Sequence, residues 1–128
     1  MQKLLLYMKY MHENHTMSFF SEKFLKSHIS KIINFYYPRC MDYNYGGYIN
    51  QFYDNGDIAD YNTKHLVGTC RFIYNFSTCY NIFNEDKYLK AAQHGIDFLY
   101  NNHRREDGSY VWVINKDKIE DKTRPVIF

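Results

Sequence analysis

No run of apolar residues in this chain is long enough to cross a membrane. The longest early candidate, Leu4-Leu5-Leu6-Tyr7-Met8, is broken at Lys9 and is too short for a secretory h-region. Cysteine is scarce: Cys40, Cys70 and Cys79 are an odd number with no metal-ligand spacing. On a shared helix, Cys70 and Cys79 fall on different faces and cannot pair with each other, so reduced thiols in a cytoplasmic protein are expected. A net charge of +2 with interspersed signs gives no basic stripe, which excludes a nucleic-acid-binding surface. No glycine-rich phosphate loop follows a strand, and no clustered metal ligands occur, so no cofactor and no metal are expected.

Aromatic residues are what the chain has in plenty. They make up 20% of its 128 residues, with 14 tyrosines and 10 phenylalanines. Tyrosine-rich interiors can line polar or sugar-binding cavities, because the ring packs while the hydroxyl bonds. Compositional bias from an AT-rich genome accounts for the same excess. The length suits one domain with a modest core. Met17 opens a stretch that reads like a natural start, so residues 1–16 are expected to be an extension and residues 17–128 the domain.

A first amphipathic helix is expected over residues 18–36. Phe20, Phe24, Leu25, Ile29, Ile32, Ile33 and Tyr36 keep helical spacing, Ser18 or Ser21 caps the start, and Pro38 ends it. Gly46-Gly47 then allows an unusual turn, and Asp54-Asn55-Gly56-Asp57 is a strong hairpin signal after a strand from Tyr48 to Tyr53. A third helix is expected over residues 84–102, where Gly95 marks close approach of another helix. A second hairpin is expected over residues 108–121. The chain stops at Phe128 with no cap or polar tail, as though cut.

Between these lies Tyr61–Phe83, expected to be a helix capped by Asn62 or Thr63. From Leu66 on it carries one charge, Arg71. A helix apolar nearly all round is buried on every side, and a lone buried charge costs several kcal/mol unless partnered. Wet, dry, wet is the order of the three helices, and two concentric rings of helices produce that order: outer, inner, outer.

Asp42-x-x-x-Gly46-Gly47-Tyr48, Asp54-x-Gly56, Lys64-His65-Leu66-Val67, Thr69-x-Arg71-Phe72, Tyr88-Leu89-x-x-Ala92, Gly95-x-x-Phe98-Leu99 and Asp107-Gly108 follow one another in order and spacing. Taken together they resemble the N-terminal part of the N-acylglucosamine 2-epimerase family, which includes cellobiose 2-epimerases and mannose isomerases. The resemblance runs from about Ser18 to Phe128. Its KHLVGTCRF segment lies nearest the mannose isomerases, and Thr69 stands where the N-acylglucosamine epimerases tend to carry Gln. It implies an all-α fold, a partial (α/α)6 barrel with short β-hairpins in its connecting loops. It also implies proton transfer at C2/C1 of an open-chain sugar, a small-molecule sugar as partner, and Arg71 as the substrate-contacting arginine. The family's two working histidines lie on later helices, so no catalytic residue is expected here. His65 reads as a core or rim residue, His94 and His103 as surface residues. Alone, the chain is expected to be inactive and to self-associate through its open side.

Alternatives remain for each residue. Arg71 either donates to developing negative charge in a dry pocket or pairs with Asp42, Asp54 or Asp60. Lys64 is a helix-end ion-pair partner or a sugar ligand. Tyr74 and Trp112 pack in the core or stack on a sugar face. Asp42, Gly46, Gly47, Asp54 and Gly56 read as hairpin and turn architecture. Asp54 and Asp60 as a carboxylate pair would instead make the chain part of an α/α-barrel glycoside hydrolase or lyase. A third possibility is a non-enzymatic helical interaction module.

Overall fold

The structure, a computed structural model, describes residues 21–116 and the backbone of residues 118 and 119. The 1–16 extension, the Ser18 cap, the far end of the second hairpin and the Phe128 end lie outside those residues. The chain divides into two units, one up to Asn34 and one from Phe35 on. The first holds most of helix α1 (Glu22–Tyr36). Ser21 caps this helix, its Oγ accepting the Phe24 N–H at 3.2 Å, and Glu22 pairs with Lys26 one turn on at 2.7 Å.

The second unit holds the other elements: β1 (Gln51–Phe52), β2 (Ile58–Asp60), β3 (Thr63–His65), helices α2 (Leu66–Phe83) and α3 (Asp86–Phe98), a π-helical turn (Leu99–His103), β4 (Val113–Asn115) and β5 (Lys118–Ile119). Strands β1 and β2 form the first hairpin, and β3-β4-β5 form an antiparallel sheet of three. The fold is mostly helical with small β-hairpins, as the sequence implies.

Helix α2 starts later than expected. Asn62 and Thr63 do not cap it. Asp60 instead turns the chain, its Oδ1 accepting the N–H groups of Asn62 at 2.7 Å and Thr63 at 3.2 Å. Thr63, Lys64 and His65 pair with Asn115, Ile114 and Val113. That pairing continues into the helix, where the Leu66 N–H donates to the Trp112 carbonyl at 2.9 Å. Distant strand partners outweighed the local helical pattern. At its other end, Asn84 takes a left-handed conformation (φ 54°) and returns its N–H to the Tyr80 carbonyl. It therefore closes α2 rather than opening α3.

Aromatic packing makes the core. Tyr48, fully buried, lies against Phe72 and Phe76, with ring centroids 5.0 and 5.6 Å away. Phe76 continues the stack to Tyr88 on α3 at 6.4 Å. The Tyr48 hydroxyl donates to the Ala91 carbonyl at 2.6 Å, so this polar atom is satisfied inside the core rather than offered to a cavity. Gly95 is needed for this arrangement: a Cβ there would lie 2.2 Å from the Tyr48 hydroxyl. The nearest neighbour of that Cβ is this loop tyrosine, whose identity the sequence does not supply.

Candidate functional site

Helix α2 has two unlike faces. Leu66, Thr69, Phe72, Phe76 and Cys79 are buried, a spacing of three and four that forms one stripe. The opposite side is open: Arg71 and Asn75 are exposed and Tyr74 is 70% exposed. The all-round dryness read from the sequence is thus absent in this chain, and Arg71 is not a buried cation. Apolar composition shows what a surface tolerates; whether it is covered depends on neighbours, and the second unit covers one side of α2.

Arg71 borders a shallow hollow of about 250 Å³, lined also by Tyr36, Asn50, Gly68, Phe72 and Asn75. Its lining combines two aromatic rings with the guanidinium and two amides, and contains no carboxylate. Donors outnumber negative acceptors there, which favours a neutral or electron-rich oxygen ligand. No salt-bridge partner of Arg71 is seen among the described residues.

The buried ion pair belongs to Lys64. Its side chain is 0% exposed, and its Nζ lies 2.7 Å from Asp42 Oδ2. The other Asp42 oxygen accepts the N–H groups of Asn44 at 3.1 Å and Tyr45 at 2.9 Å. Burial pushes the Asp42 carboxyl up, but the Lys64 ammonium and those backbone donors outweigh it and hold it below the usual range. Lys64 is therefore placed neither at a helix end nor on an open surface: it is a strand residue whose charge is committed to Asp42. Gly46 and Gly47, at φ 100° and 67°, bring the Asp42 turn against Phe98, where a Cβ on Gly47 would come within 2.6 Å of that ring. Gly56, also left-handed, lies against the Arg39 guanidinium, and Asp54 is exposed in the same hairpin turn.

The histidines divide differently from expectation. His103 is fully buried, not at the surface: the π-helical turn carries it inward. Its Nδ1 lies 2.9 Å from the Val111 carbonyl and must carry the proton, leaving Nε2 facing the Thr69 hydroxyl at 3.5 Å. Burial lowers its pKa, opposed by the Val111 carbonyl. His94 is half-buried with its Nε2 donating to the Gly47 carbonyl at 2.8 Å, and His65 is half-buried on β3. Trp112 is half-buried and is not among the residues that line the Arg71 hollow. The sequence pointed to Arg71 but not to its companions. Asn75, one turn beyond Arg71, was recoverable from spacing; Asn50 was not, since it reaches the site from the loop before β1.

The family described as N-acylglucosamine 2-epimerase (GlcNAc 2-epimerase) matches residues 47–126, and the chain belongs to it. It is 42% identical over 106 residues to a D-mannose isomerase of Marinomonas mediterranea, covering 83% of this chain and 27% of that protein. In three dimensions it is similar to a crystal structure of D-mannose isomerase, with a TM-score of 0.74 and 43% identity over 77% of this chain and 26% of that one. It also shares its fold with the cellobiose 2-epimerase of Bacillus thermoamylovorans B4167, at TM-score 0.64 and 20% identity over 76% of this chain and 26% of that one. The chain spans about a quarter of the length of these relatives.

Proposed function

We propose that the chain supplies the arginine-bearing wall of a sugar isomerase pocket, with α1, α2 and α3 as the first outer, inner and outer helices of an α/α barrel. The reaction is interconversion of an aldose and a ketose by proton transfer between C2 and C1 of the open-chain sugar. The observation that carries this reading is the position of Arg71. It stands exposed beside a carboxylate-free hollow, on a helix whose other face is locked into the core. Removing the C2 proton places negative charge on the neighbouring oxygen as an enediolate forms. A planar guanidinium donates to that oxygen without being consumed. The proton itself needs an acid–base group near neutrality, usually histidine. His94 and His103 are held in hydrogen bonds within this fold, and that group is assigned to no described residue of this chain.

The identity with a D-mannose isomerase favours an aldose–ketose isomerase over an N-acylglucosamine 2-epimerase, and Thr69 agrees with that choice. Nothing in the site favours the hydrolase reading, since Asp60 is occupied by turn N–H groups and Asp54 is exposed. We further assign the protein to the cytoplasm, with Cys40, Cys70 and Cys79 as free thiols. The test is a graft: the matching segment of the Marinomonas mediterranea D-mannose isomerase is replaced by residues of this chain. The folded graft is expected to interconvert mannose and fructose; a folded graft without that activity contradicts the proposal.

A further inference from the structure

One polar atom beside the Arg71 hollow has no hydrogen-bond partner among the described residues. Asn50 accepts the His65 N–H through its Oδ1 at 3.0 Å, which fixes the orientation of its amide group. Its Nδ2 is buried, with less than 1 Å² accessible, and has no hydrogen-bond partner among the described residues. Leaving such a donor unsatisfied costs about 1–3 kcal/mol, so a fold that keeps one at the edge of a hollow has a use for it. Gly68 provides the room. A Cβ on Gly68 would lie 2.8 Å from this nitrogen, and its absence lets the amide lie directly against α2. Asn50, Gly68, Arg71 and Asn75 thus line the same depression, with Tyr36 and Phe72 as its apolar walls.

We propose that Asn50 is a sugar-binding residue of this hollow, its amide N–H donating to a hydroxyl of the same open-chain polyol that Arg71 contacts. This rests on the sugar-pocket reading above and extends it to a second donor. The arrangement suits a hydroxyl-bearing chain because both groups offer only hydrogens and leave the lone pairs to the ligand. Since Nδ2 has almost no accessible surface, an oxygen reaches it when a lining side chain moves. A neutral hydroxyl at Nδ2 satisfies the buried donor, whereas an apolar ligand leaves the penalty in place, so the site selects for oxygen at that point.

The 128-residue chain is titrated with D-mannitol, an open-chain polyol, and followed by amide and guanidinium NMR signals, with glycerol as control. Asn50 and Arg71 signals are expected to shift together with one dissociation constant. Asn50→Asp keeps the acceptor for the His65 N–H and removes the donor; it is expected to weaken binding about tenfold, the scale of one hydrogen bond. Shifts at Arg71 but not Asn50 overturn this inference and leave the pocket reading standing. Shifts at neither overturn both. Equal shifts with glycerol, or mannitol binding unchanged in a folded Asn50→Asp chain, also overturn it. Should that variant fail to fold, the titration of the natural chain still decides.

Discussion

At the scale of single residues, similar charges do different work because their surroundings differ. Lys64 and Arg71 lie seven positions apart in the chain. Lys64 is enclosed and bonded to Asp42, and Arg71 faces outward over a hollow. Lys64→Met leaves the Asp42 carboxylate without its cation and should cost about 3–5 kcal/mol in urea unfolding. A loss below about 1 kcal/mol, the range of surface pairs, would show that the pair is dispensable. Arg71→Ala should leave the unfolding midpoint nearly unchanged, because the side chain is exposed. His103 predicts a pH effect. Its buried imidazole titrates below the unfolded value of about 6.5. Below that value the unfolded chain binds more protons, so stability is full above it and falls as pH drops toward the folded pKa. Urea midpoints should decline from about pH 7 to about pH 5. His103→Gln should flatten that decline, and an unchanged slope would argue against a buried neutral imidazole.

At the scale of elements, local chemistry was legible where it decided the structure and misleading where distant partners did. The hairpin turn, the left-handed glycines and the two amphipathic helices were readable because backbone conformation and helical period are local properties. The Thr63–His65 strand was not readable, since it exists through pairing with Val113–Asn115 about fifty residues away in sequence. Helix α2 was half legible. Its composition gave the helix and singled out Arg71, but not which face would be covered. The role of Gly95 was readable as a close approach, though not the identity of Tyr48 as its neighbour. Gly95→Ala places a methyl into the Tyr48 ring and should destabilise the chain by about 1–3 kcal/mol or more. Tyr48→Phe in that background relieves only the hydroxyl contact, at 2.2 Å, while the ring carbons at 2.4 and 2.5 Å remain in the way. Calorimetry should therefore show partial rescue, and full rescue would mean that the ring itself has room.

At the scale of the whole molecule, the proposed function makes the chain one wall of a site. It covers about a quarter of a D-mannose isomerase that it resembles at 42% identity, and its open face bears Arg71, the donor that the proposed enediolate chemistry would use. No acid–base pair is assigned to it. The purified 128-residue chain is accordingly expected to show no mannose–fructose interconversion, and detectable turnover would overturn that assignment. Arg71 was legible because a single charge on a dry helix is conspicuous in one dimension. The hollow beside it was not, because it is made by three separate segments meeting. The most direct measurement is turnover of mannose by the active graft carrying Arg71→Ala. If Arg71 donates to charge developing on the sugar oxygen, kcat should fall by roughly a hundredfold or more, with Arg71→Lys intermediate. An Arg71→Ala graft that keeps its kcat would contradict the account.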